Sequence, residues 1–73
     1  MRIKDVLDKN IIITNSNSKL FENMIGVICE VSNATQYNTA ILKTKTRSSY
    51  YLHFETEVPC FVVTKEEHPE YFL

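Results

Sequence analysis

Apolar positions along the chain come in short blocks separated by polar turns, and the spacing inside each block predicts its element. At the amino terminus Ile3, Val6 and Leu7 stand at i, i+3 and i+4, which is one face of a helical turn or an irregular lead-in to a strand. The β-branched run Ile11-Ile12-Ile13 predicts a first strand, stopped by Asn15-Ser16-Asn17-Ser18, where Asn and Ser supply turn chemistry in place of glycine. Over 24–32, Ile25, Val27, Cys29 and Val31 alternate with Gly26, Ile28 and Glu30, giving a second strand a definite inner face. A polar turn at 33–38 leads into two more strands at 39–46 and 50–55. A fifth at 58–65 is apolar on both faces, with Pro59 near its start, where a strand tolerates a missing donor.

The third and fourth predicted strands form a hairpin whose register decides which side chains face water. A three-residue loop at 47–49 sets Leu42 against Phe54 and Thr44 against Leu52, whereas a two-residue loop sets Leu42 against His53 and mixes both faces. The three-residue loop gives the cleaner inner face, so Ala40, Leu42, Leu52 and Phe54 are expected inside. Lys43, Lys45, Tyr51 and His53 then share the outer face.

Five short strands in a chain of this length predict an all-β fold, a five-stranded small barrel with a short N-terminal helical turn, because closure removes exposed strand edges. The expected organisation is a turn or short helix at 1–9, the barrel at 10–65 and an apolar C-terminal tail at 66–73. The stretches Lys-Leu-Phe-Glu-Asn-Met-Ile-Gly-Val-Ile-Cys-Glu-Val (19–31) and Tyr-Tyr-Leu-His-Phe-Glu-Thr-Glu-Val-Pro-Cys-Phe-Val-Val (50–63) lie within about residues 11–64, and this region resembles SH3-like small barrels with a KOW-type element. Small phage-encoded barrel proteins look similar. Members that hold RNA place basic residues near the glycine. Here the neighbours of Gly26 are Met24, Ile25, Val27 and Glu30, so RNA binding does not carry over through this element. Gly26 is expected to act as a backbone device, permitting a bulge or a close approach.

Composition narrows the class. With 73 residues there is room for one core, and a chain this small hides only roughly 60% of the surface its unfolded form exposes. Cys29 and Cys60 each lie in an apolar segment and read as buried thiols, with a disulfide open if they fall on neighbouring strands. No secretory signal pattern precedes them, and the longest aliphatic run, Ile11-Ile12-Ile13, is far short of the about 20 residues a spanning helix needs. A cytoplasmic protein without a membrane contact is the expectation. The net charge of −1 argues against a surface built throughout to hold phosphate, although Lys43, Lys45 and Arg47 cluster while the chain beyond residue 54 is rich in glutamate. Abundant Asn, Ile, Lys, Thr and Tyr resemble the usage of AT-rich genomes, including many phages.

The chemistry of most enzyme classes is missing from the sequence. A single glycine rules out a phosphate-binding loop and a dinucleotide fingerprint, which need several. Cys29, Cys60, His53 and His68 are isolated, without the paired spacing of a metal site, and neither thiol stands beside a histidine in sequence. No enzyme, no cofactor and no metal are expected. Two candidate surfaces remain. Lys43, Lys45 and Arg47, with Tyr51 and His53, form a basic and aromatic face that could bind nucleic acid or a nucleotide by charge and stacking. Tyr71, Phe72 and Leu73 form an apolar tail that docks on its own barrel, on a second copy or on a target. The favoured function is a non-enzymatic protein-interaction module, a small phage or mobile-element protein that binds and modulates a host protein. Nucleic-acid binding is the alternative, and a structural virion component is a third.

Overall fold

A computed structural model describes residues 1–16, 18–46 and 48–72 of the chain. A 3-10 helix (Ile3–Val6) leads into β1 (Asn10–Ile13), a single turn of helix α1 (Lys19–Glu22), β2 (Ile28–Asn33), β3 (Thr39–Thr44), β4 (Ser49–His53) and β5 (Cys60–Val63), and a second 3-10 turn covers Pro69–Phe72. All strand pairs are antiparallel, in the spatial order β4-β3-β2-β1-β5. The all-β expectation therefore stands, with a short helical turn at the amino terminus. The one-turn α1 was not foreseen: the segment before the predicted second strand read as a turn, yet it is helical and buries Phe21.

The closed barrel is corrected. Among the described residues β4 and β5 are the two ends of the sheet and do not pair with each other. The first residues of the chain occupy the opening instead. Ile3 N–H donates to the Thr56 carbonyl at 2.9 Å, Lys4 N–H to Phe54 at 3.1 Å, and Val58 N–H to Met1 at 2.7 Å. This arm carries Ile3 and Val6 to full burial beside Ile11, Val31, Leu42 and Val58. Open edges cost unpaired backbone groups, and the arm satisfies part of that demand with short-range backbone bonds.

The hairpin register is also corrected. Ala40 stands opposite Leu52 and Leu42 opposite Tyr50, not Phe54. Thr44 closes the loop: its N–H donates to the Ser48 carbonyl at 3.0 Å, and its buried hydroxyl accepts from Ser48 N–H at 3.3 Å and contacts the Thr46 hydroxyl at 2.9 Å. Phe54 leaves the strand, its N–H donating to Asn38 at 2.8 Å, and is half-buried. The slip is an even number of residues, so faces are preserved: Ala40, Leu42 and Leu52 are buried, while Lys43, Tyr51 and His53 are exposed.

Gly26 has φ +80°, and among the described residues nothing lies within 4 Å of where its Cβ would be. The glycine is needed for its left-handed backbone, not for a close approach. The predicted alternation of the second strand holds for Cys29 and Val31 but fails at Ile25, which precedes the strand and is half-exposed.

Removing the plug should cost more than an ordinary surface change. Ile3→Ala is expected to lower unfolding stability by about 2–5 kcal/mol, read from the midpoint of urea denaturation, while Ile25→Ala should shift it by less than about 1 kcal/mol.

Candidate functional site

The outer face of the sheet is divided. Ile12 and Val63 point away from the main core by strand alternation, yet both are buried. The chain after β5 returns over this half of the face and brings Phe72 to a cleft of about 540 Å³ lined by Asn10, Ile28, Glu30, Lys43 and Lys45. Tyr71 and Phe72 are half-buried, and the Tyr71 ring lies 5.8 Å from that of His68. The tail thus rests on its own sheet; Leu73 and Arg47 lie outside the described residues. The sequence carried a signal for this cover, since β5 was apolar on both faces and an outer apolar face needs something over it.

The expected basic and aromatic patch is split into two neighbourhoods. Lys43, on β3, stands directly across from Glu30 on β2, so opposite charges share a cross-strand position. Lys45 follows at the loop, and the aromatic ring they share a cleft with is Phe72, not a tyrosine. Tyr51 lies across from Ile41, and His53 across from Thr39 at the far end of the hairpin. The imidazole Nδ1 of His53 accepts from Glu55 N–H at 3.2 Å, which turns that ring nitrogen inward to its own turn.

A residue that sequence reasoning missed dominates this second neighbourhood. Tyr37 is 89% exposed and Tyr51 71% exposed, and together they line a shallow hollow with Ala34, Gln36 and Thr39. A second shallow hollow on the other side of Tyr37 is formed with Asn33, Asn38 and Phe54. The turn that presents Tyr37 is wound tightly: Thr35, Tyr37 and Asn38 have φ of 63°, 53° and 52°. Asn33 Oδ1 accepts from Thr35 N–H at 2.8 Å, and Ala34 N–H donates to Thr39 at 3.0 Å. Asn tolerates the left-handed region, but an aromatic residue there carries a backbone cost of about 1–2 kcal/mol. Nothing in the sequence pattern marks Tyr37, because a tyrosine in a polar turn has no periodicity to betray its direction.

The acidic segment is less free than its composition implies. Glu55 pairs with Lys4 Nζ at 2.8 Å and with Arg2 at 3.4 Å, which ties the β4–β5 turn to the amino-terminal arm. In the tail, Glu67 accepts from the Thr64 hydroxyl at 3.1 Å and Glu70 contacts His68 at 3.2 Å. The hydrogen bond from Lys4 is the main cause that holds the Glu55 carboxyl below its ordinary value of 4.5.

The two thiols are on the inner face but not on neighbouring strands. Cys29 pairs with Ile11 and Cys60 with Ile13, so β1 runs between them. Two strand spacings separate their backbones by about 9–10 Å, beyond the roughly 7 Å limit for a disulfide. Burial pushes the Cys29 thiol up to about 11, with the nearby Cys60 adding to the effect, and burial also raises Cys60. Among the described residues no three His, Cys, Asp or Glu side chains gather to hold a metal ion, and no helix is long and apolar enough to cross a membrane.

Comparison of the chain with protein-family models, with curated proteins and with solved structures finds no match.

Two outcomes follow from these side chains. A carboxyl whose folded pKa lies below its unfolded one adds stability above the unfolded value and loses it as pH falls through the folded value. Wild type should therefore lose more stability between pH 6 and pH 3 than Glu55→Gln, in urea titrations run across that range. Alkylation at pH 8 should modify the half-buried Cys60 well before the buried Cys29, and mild oxidation should leave the two thiols unlinked, as read by mass spectrometry.

Proposed function

We propose that the chain is a non-enzymatic protein-interaction module of the SH3-like small-barrel type, a small phage or mobile-element protein that acts in the cytoplasm on a host protein. The strand order β5-β1-β2-β3-β4 supports the barrel reading, with the amino-terminal arm standing in for direct closure. Amino-acid usage supports the phage reading. One observation carries the functional part: Tyr37 is almost wholly exposed in a strained backbone conformation, beside a second exposed tyrosine. Strain held by an exposed aromatic residue gains nothing for folding, and such sites are where binding surfaces are found.

The rim of this surface is polar and uncharged, formed by Gln36, Asn38 and Thr39. Tyrosine contributes large contact area at low entropy cost and keeps a hydrogen-bonding hydroxyl, which suits a protein partner with an apolar centre and uncharged polar edges. The lysines favour phosphate less, because Glu30 stands across from Lys43 and offsets its charge.

Tyr37→Asn separates fold from function. Asn accepts the left-handed backbone, so the melting temperature should stay level or rise. In pull-downs from lysate of the native host, run with nuclease, Tyr37→Asn should lose at least about tenfold of any protein that wild type retains. Lys43→Glu with Lys45→Glu should retain it. A reversed pattern, with retention abolished by nuclease or by the lysine changes, establishes nucleic-acid binding instead.

A further inference from the structure

The free edge of the sheet at β4 has the makings of a pairing site, and its direction can be worked out from two backbone bonds. Thr44 N–H donates to Ser48 and Phe54 N–H donates to Asn38, so these pairs, and every second pair between them, exchange hydrogen bonds across β3 and β4. Tyr50 and Leu52 thus turn their amides toward β3. Ser49, Tyr51 and His53 turn theirs outward. Among the described residues no backbone hydrogen bond reaches Ser49 or Tyr51 from outside the sheet, and at His53 only the carbonyl is used, by Thr56 N–H at 2.9 Å.

Edge strands are ordinarily guarded by fixed charge, proline, a bulge or short length. At the other end of the sheet β5 is four residues long, preceded by Pro59 and followed by Lys65, Glu66 and Glu67. The five residues of β4, Ser49-Tyr50-Tyr51-Leu52-His53, include no lysine, arginine, carboxylate or proline. They are also self-complementary in an antiparallel sense. A twofold axis through Tyr51 sets Tyr51 against Tyr51 of a second copy, Tyr50 against Leu52, and Ser49 against His53. On the inner side this matches an apolar residue with an apolar one, and Tyr50 is only half-buried in the single chain. On the outer side it joins two tyrosines, and no like charges meet.

We propose that β4 pairs antiparallel with β4 of a second copy of this chain, centred on Tyr51, to give a closed twofold dimer with one continuous sheet. The contact uses the same patch on both chains, so it ends at two copies and does not propagate. It goes beyond the reading of the protein as a binding module and does not depend on it. The dimer would bring both Tyr37–Tyr51 surfaces onto one outer face, where two weak contacts to a partner add as an avid one.

The test uses the purified full chain with no partner present. Sedimentation equilibrium from micromolar to millimolar concentration should show a reversible monomer–dimer equilibrium. Tyr51→Lys and Tyr51→Glu each place like charges opposite one another and should weaken self-association by at least about tenfold. Tyr51 is mostly exposed, so both variants should keep the wild-type circular dichroism. Mixed in equal amounts, the two should recover dimer as a heterodimer, because the axis sets Lys against Glu. A wild-type chain that stays monomeric overturns the proposal, as does a dimer indifferent to both substitutions, which would place association at the tail or on a peptide-binding edge. Variants that are monomeric apart and remain so when mixed overturn the Tyr51-centred register.

Discussion

A linear five-stranded sheet has two ends, and this one is held together by what fills the gap between them. The arm at the amino terminus hydrogen-bonds to residues 54–58 and sets Ile3 and Val6 into the core. Without it, the backbone groups of Phe54, Thr56 and Val58 that it engages would lose these bonds, and the core would lose Ile3 and Val6. The ion pairs of Arg2 and Lys4 with Glu55 sit outside this seam, exposed, and add orientation more than energy. Backbone bonds and buried isoleucine and valine do the closing.

The same division of labour shapes the outer surface. Ile12 and Val63 are buried on the β5-β1 half, and Phe72 of the C-terminal segment meets the sheet at the cleft between β1, β2 and the loop end of β3, which leaves Tyr51 and His53 to solvent. The charged residues of the β3–β4 half lie toward the cleft, near Glu30 and Phe72, and the aromatic residues lie at the opposite end of the hairpin with Tyr37. A surface that looked like one mixed patch in the sequence is two patches of different chemistry, set apart along a single pair of strands.

Alternation is a local property, and for that reason the inner face was legible: Cys29, Val31, Ala40, Leu42 and Leu52 are where their spacing puts them. Register is a property of loop closure, and it was not. A test that asks only which face is apolar detects odd slips and is blind to even ones, so the hairpin was placed with the right faces and the wrong partners. The decisive group was the Thr44 side chain, whose hydroxyl caps the loop at Ser48, a contact with no hydrophobic signature. The closed barrel failed on a related ground, since the arm's pairing with residues 54–58 is long-range and carries no motif. Tyr37 escaped notice because turns present side chains by dihedral angle, and a sequence shows the angle only where glycine or asparagine demands it.

The arm also imposes an order of events. Its backbone partners at residues 54–58 lie fifty or more residues downstream, the amino-terminal nitrogen and the Val58 carbonyl being 57 positions apart. β5, the last of the five strands, likewise finds its neighbour β1 only across most of the chain. The β1-β2-β3-β4 meander is built from adjacent pieces and can pair locally, whereas the arm has nothing to dock against until residues 54–58 are in place. The contacts nearest in sequence thus build a sheet whose opening stays bare, and the arm becomes ordered only once residues 54–58 stand ready to receive it.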